Sequence, residues 1–209
     1  ADPTLIAKTK IDEFSTLTEE INNIYLTEEE LQSLYKLDLS NNKTLEHAKD
    51  NFLLLAWTGC RYSDLDKITT DRIANGFLNI NQKKTDKAVS IPVVKVVKEI
   101  LQKYDGNPAP IISNQKFNEY IKEVANFAGI TEQVCKHATI GGVKKDKIFH
   151  KYELITTHTA RRSFATNMYK RGVPAITLKN ITGHKTESAF LSYIKLDKQQ
   201  HAEIMSEYL

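Results

Sequence analysis

Thr157–Thr166 reads THTARRSFAT, and the reading of this stretch decides the rest of the chain. On a helix, His158 and Arg161 lie i, i+3 and share a face. Arg162 lies i+4 from His158 and can share that face too, so spacing alone does not choose between the arginines. A lone His-x-x-Arg is usually a packed histidine beside a surface arginine. It gains meaning only from its surroundings. Residues 136–171 hold nine basic side chains (Lys136, Lys144, Lys145, Lys147, Lys151, Arg161, Arg162, Lys170, Arg171) against Asp146 and Glu153. Residues 1–50 hold 11 acidic and 5 basic ones. The net charge of +3 hides this asymmetry, which suits an electropositive face for a polyanion.

The chain has 209 residues, 41% hydrophobic and 26% charged, enough for one folded domain with a core. No apolar run approaches the roughly 18 residues of a membrane span. The start, ADPTLIAKTKIDEF, has no apolar signal region. Two cysteines, Cys60 and Cys135, are too few for a disulfide framework or a zinc site. A cytoplasmic protein with no membrane partner is expected.

Outward from the central stretch, the pattern is mostly helical. Residues 1–25 show weak periodicity and read as a linker or the remnant of a preceding domain. Thr27 with Glu30 forms a capping box ahead of Leu31, Leu34 and Tyr35. A second helix, from about Thr44 to Trp57, is apolar on most sides, and TGCRYSDLDKIT resumes as a short helix after Gly59. Phe77–Gln82 and Ala88–Pro92 read as a hairpin around KKTDK. The spacing of Val93, Val96, Val97, Ile100, Leu101 and Tyr104 predicts an amphipathic helix with Pro92 near its first turn. Phe117 to Ala128 is another helix, and residues 131–156 a second hairpin or a long loop. Helices are expected at about 158–171, 174–181 and 187–194. A tail helix over 196–209 carries an apolar stripe of Ala202, Met205 and Leu209, with Ile204 and Tyr208 beside it. The fold class is mainly α with small antiparallel β-hairpins.

Three more stretches carry candidate chemistry. In TGCRYSDL, Arg61 follows a Gly-marked break and Asp64 lies i+3, close enough to fix its guanidinium. In NQKKTDKAV, Lys83, Lys84 and Lys87 sit at a hairpin tip. Such lysines usually guard an edge, but a mobile one can reach a DNA groove or give up a proton. In ITGHKTESAFLSYIK, His184 stands at a helix junction after Gly183. Tyr193, one of nine tyrosines, follows it by nine residues.

Taken in order, Arg61, Lys84, His158-x-x-Arg161, Gly183-His184 and Tyr193 resemble the tyrosine recombinase (phage-type integrase) family. The resemblance runs from about Thr27 to Lys195. It rests on the Thr-Gly-x-Arg turn, a hairpin lysine 23 residues later, the His-x-x-Arg helix, and the Gly-His step nine before the tyrosine. It implies a catalytic domain over 26–195 that cleaves and rejoins DNA through a 3′-phosphotyrosyl link, with neither metal nor ATP. Arg61 and Arg161 would clamp the phosphate, since arginine is permanently charged and binds two oxygens at once. His184 would hydrogen-bond a non-bridging oxygen. Tyr193 would be the nucleophile, with His158 assisting its deprotonation. Lys84, in preference to Lys83, would protonate the leaving 5′-hydroxyl. Asp64 would support Arg61, and Arg162 would touch a phosphate or support Arg161.

Lys83, Lys87, Lys144, Lys145, Lys147 and Lys151 are then candidate contacts to the DNA backbone. The partners implied are double-stranded DNA and further copies of the chain, a tetramer on DNA from a monomer in solution. The tail stripe packs on its own domain or, as the resemblance implies, is exchanged between protomers. The family often has Leu-Gly-His where this chain has Thr182-Gly183-His184, a departure expected to matter little. A type IB topoisomerase-like relaxing activity and a catalytically decayed DNA-binding protein are the alternatives. The nine-residue spacing and the histidine opening His-x-x-Arg favour the recombinase.

Overall fold

The computed structural model of the chain describes residues 24–140, 143–194, 196 and 198–206. Helix α1 (Glu28–Lys36) starts where sequence expects it. Thr27 accepts from the Glu30 amide, and the Glu30 carboxylate returns a bond to the Thr27 amide. Helix α2 (Lys43–Thr58) is the hub. It is apolar on most sides because α1, α3 (Lys95–Lys103), α4 (Asn114–Phe127) and α5 (Thr157–Lys170) all pack on it. Phe52, Leu53, Leu54 and Leu55 are completely buried there.

A three-stranded antiparallel sheet covers one side, in the order β1 (Ile73–Ala74), β2 (Phe77–Asn81), β3 (Ala88–Pro92). Its Phe77–Pro92 to Asn81–Ala88 register points Leu78, Ile80 and Ile91 inward. Strand β1 was not expected, since two residues carry no alternation to read. Pro92 pairs with Phe77 as the last rung of the sheet, and Val93 continues by bonding the Gly76 carbonyl. Helix α3 therefore begins at Lys95 rather than at Pro92. The stretch after Gly59 is two 3-10 helices, Tyr62–Lys67 and Thr70–Arg72.

Strands β4 (Gln133–Ile140) and β5 (Val143–His150) pair as a separate two-stranded ribbon, resolving 131–156 as the hairpin. Beyond α5, helices α6 (Ala175–Thr182) and α7 (Glu187–Leu191) close over a smaller cluster of Phe164, Ala165, Leu178, Phe190 and Ile194. Helix α8 (Lys198–Ser206) follows. In it Ala202 and Met205 are exposed and Ile204 is half-buried, while Tyr208 and Leu209 lie outside the described residues. No described helix is long and apolar enough to cross a membrane.

The chain on either side of the expected boundary at residue 25 is tied to the helices. Leu26 is completely buried; its amide bonds Ser163 Oγ, and its carbonyl accepts from Asn167. Arg162 donates to the Ile24 carbonyl, and Gln200 on α8 donates to the Tyr25 hydroxyl. Residues 24–26 thus form a strap tied to α5. The rest of the expected 1–25 segment lies outside the described residues.

Candidate active site

Gly59 ends α2 in a left-handed conformation, with φ 68°. A Cβ there would stand 2.4 Å from the Phe164 ring, so only glycine lets α5 approach this closely. That approach brings the Gly59 carbonyl to Arg161, whose Nη1 donates to it at 2.6 Å. Arg161 is 4% exposed and its Nη2 has no hydrogen-bond partner. Burial, then Arg61, lowers its pKa to about 10, which leaves it a cation at neutral pH.

Arg61 is extended, just before the first 3-10 helix. Its Nη1 donates to Gln82 Oε1 at 2.6 Å, and its Nη2 to the carbonyls of Thr182 and Gly183. Gln82 is buried at the end of β2. Its Nε2 donates to the Ile181 carbonyl at 2.8 Å, and its Oε1 also accepts from Thr85. Gly183 has φ 62°, and a Cβ on it would lie 2.2 Å from Gln82 Oε1. Gln82 therefore joins Arg61, the lysine hairpin and the Gly183–His184 turn. No pattern of residue types marks it, because a glutamine at a strand end has no motif.

Asp64 does not hold Arg61. The extended backbone of Arg61 carries its side chain away from the 3-10 turn. Asp64 instead accepts from the Lys83 amide at 2.7 Å and anchors the hairpin. Lys83 turns out to Asp66, and Lys84 lines the cleft. Both lysines lie in the turn between β2 and β3, not on a strand, so strand alternation does not govern them.

The cleft, about 470 Å³, is lined by Arg61, Lys84, His158, Arg161, His184 and Tyr193, together with Tyr62, Ser63, Asn114 and Thr157. The last four were not singled out beforehand. All six residues expected to carry chemistry therefore meet in one place, although up to 132 positions separate them in sequence.

His158, in the first turn of α5, has its pKa lowered by burial and by Arg162, Arg161, Lys84 and Arg61. For His184, burial and then Arg161 and Arg61 bring the pKa to about 4. Its Nδ1 lies 2.8 Å from Thr182 Oγ1, and its ring is 5.0 Å from that of Tyr193.

Tyr193 sits in the turn after α7 rather than on a helix. Its hydroxyl donates to the His158 carbonyl at 3.0 Å. Burial raises its pKa, while Arg162, Arg161 and Arg61 pull the other way. Arg162 neither lines the cleft nor bonds Arg161. Its guanidinium lies 4.7 Å from the Tyr193 ring centroid.

Among the proposed DNA contacts, Lys151 is displaced. It is 8% exposed, and its ammonium is paired with Glu30 and Glu132, which fix it between α1 and the ribbon. Lys83, Lys84, Lys87 and Lys147 are exposed. Lys144 and Lys145 are on β5, with side chains outside the described set. No three His, Cys, Asp or Glu side chains among the described residues lie close enough to hold a metal ion.

The Phage integrase family model matches residues 24–200, and the chain belongs to that family. It is 28% identical to a tyrosine recombinase of Thermosipho africanus over 84% of this chain and 58% of that protein. The chain thus spans a little over half the length of that relative. Among solved structures it resembles the XerA recombinase, with a TM-score of 0.61 at 20% identity over 88% of this chain and 65% of that one. It also resembles lambda integrase, solved as a dimer bound to a COC′ core site. There the TM-score is 0.57 at 19% identity, over 83% and 62% of the two chains. The fold is the tyrosine recombinase catalytic-domain fold.

Proposed function

We propose that this chain is the catalytic domain of a site-specific DNA recombinase that cuts and rejoins strands through Tyr193. The observation that carries the proposal is the convergence of Tyr193 with two arginines, two histidines and Lys84 in one cleft. A phosphodiester resists nucleophiles because its anionic oxygens repel them. Preorganised cations that neutralise those oxygens lower the barrier most. Arg61 and Arg161 supply two fixed charges, and Arg161 Nη2 is an unused donor.

The Tyr193 hydroxyl rests on the His158 carbonyl and must leave it to attack phosphorus. Its proton passes toward His158, which is neutral and so able to accept it. The new bond is tyrosyl oxygen to phosphorus. The bond that breaks joins phosphorus to the 5′-oxygen, and Lys84 returns a proton to that oxygen. Attack by a 5′-hydroxyl on the phosphotyrosine reverses each step, so the energy of the broken bond is kept.

Family membership supports the recombinase over topoisomerase-like relaxation. Assembly into a tetramer on double-stranded DNA, from monomers in the cytoplasm, belongs to the same proposal. So do backbone contacts by Lys83, Lys87, Lys144, Lys145 and Lys147, and exchange of the tail between protomers. The Gln200–Tyr25 bond is a contact that such a tail would have to give up.

The test is covalent trapping on duplexes drawn from the sequences flanking the gene, each nicked next to the candidate phosphate. A protein–DNA band that survives denaturant and is lost in Tyr193→Phe, with DNA binding kept, is expected. A band that persists in Tyr193→Phe would mean another nucleophile.

A further inference from the structure

Thr182, the last residue of α6, departs from the leucine common at this place, and its hydroxyl is not idle. It is completely buried, and Oγ1 lies 2.6 Å from the Leu178 carbonyl and 2.8 Å from His184 Nδ1. A hydroxyl has one proton and two lone pairs. The Leu178 contact is the shorter, and a bond to the carbonyl four residues back is the usual partner of a helical threonine. The proton lies there, and a lone pair faces His184. Two lone pairs do not face each other at that distance, so Nδ1 carries the imidazole proton. A neutral imidazole has only one N–H. Nε2 is then a bare acceptor, and His184 lines the cleft meant for a phosphate.

We propose that Thr182 is a positioning residue that holds His184 in the Nδ1–H tautomer, so that His184 donates to a phosphate oxygen only after gaining a proton at Nε2. The first half stands on the geometry of the free protein. The second rests on the proposed recombinase function. Arg61 faces His184 from beyond α2, Arg161 and His158 from α5, Lys84 from the β2–β3 hairpin, and Tyr193 from the turn after α7. Burial first, and then the two arginines, oppose protonation of His184 in the empty cleft. A phosphodiester anion between them offsets that repulsion, so DNA binding and proton uptake are coupled.

The test has two arms. In the first, 15N spectra of the His184 ring are recorded on the free chain at neutral pH. A protonated Nδ1 and a bare Nε2 are expected. Thr182→Val, which keeps the shape without the hydroxyl, should move the proton to Nε2, and Thr182→Ser should not. A bare Nδ1 in the parent overturns the proposal, as does an unchanged tautomer in a folded Thr182→Val. In the second arm, trapping rates are compared across pH. The parent should lose rate on the alkaline side one proton more steeply than Thr182→Val, because a neutral Nε2–H donates without prior protonation. Parallel profiles overturn the second half. If neither protein traps DNA, the recombinase reading fails, while the ring spectra still decide the tautomer.

Discussion

The floor of the cleft and its proposed nucleophile are built in opposite ways. Arg61 is held by three acceptors from two distant segments, and Arg161 is sunk into the helix core against the Gly59 carbonyl. Tyr193 sits in a turn after a five-residue helix; its hydroxyl makes one hydrogen bond, and its ring packs against Arg162, His184 and the small cluster under α6 and α7. The charges proposed to clamp phosphate are fixed by backbone carbonyls and by the Gln82 amide oxygen. The atom that must swing onto phosphorus is held by contacts that are easily exchanged. This is preorganisation of the electrostatic part and mobility of the covalent part.

The sharpest way to break this contrast is at the adjacent arginines. Arg161→Ala removes a fixed clamp and should lower the trapping rate about 1,000-fold. Arg162→Ala removes a cation–π contact to the ring of Tyr193, which corresponds to about tenfold. Single-turnover trapping at saturating DNA measures both. Equal losses would mean that the floor and the nucleophile are not separately built. Gln82→Met falls between them. It keeps the volume, frees Arg61 and unties the Gly183 turn, and should slow trapping about 100-fold with DNA affinity retained. A loss of affinity without loss of rate would make Gln82 a binding residue instead.

How much of this could be read in the sequence follows from which forces are local. Capping at Thr27, the period of α3 and α4, and the first hairpin follow from neighbouring residues and stand within a few positions of expectation, while 131–156, open in sequence between a hairpin and a long loop, is the hairpin. The six residues expected to act came from spacing and resemblance together, and they meet in the cleft. What failed was long-range pairing. Asp64 reads as the partner of Arg61 only if Arg61 is helical, and it is not. Lys151 reads as a surface lysine until Glu30, 121 positions away, closes on it. Gln82 and Thr182 act through carbonyls and ring nitrogens brought up by the fold, and no pattern of residue types announces that.

The histidines sharpen the same contrast through pH. His158 and His184 both hold pKa values below the ordinary 6.5 in the folded chain. Below about pH 6.5 the unfolded chain therefore binds protons that the folded chain refuses, and stability falls as pH falls. The melting temperature should drop between pH 7 and 5. His184→Gln should flatten part of that drop. Glu29 and Asp38, whose pKa values are lowered, lose their contribution only below about pH 4.5, so the two windows separate. An unchanged slope in His184→Gln would mean that neither burial nor the two arginines hold this ring below its ordinary pKa.

The smallest effect distinguishes lysines that look alike in sequence. Lys147 is exposed on β5, with its ammonium 4.7 Å from the Phe149 ring centroid, and is free to meet a phosphate. Lys151, four residues on, is locked to two carboxylates. Each lysine–phosphate contact releases counterions, so Lys147→Ala should reduce the slope of log affinity against log salt by about one. Lys151→Ala should leave that slope alone. It should lower the melting temperature instead, because it strands the half-buried Glu30 that caps α1. A changed salt slope in Lys151→Ala would show that the ion pair opens on DNA. The ammonium would then be a reserve contact exposed by a shift of the ribbon against α1.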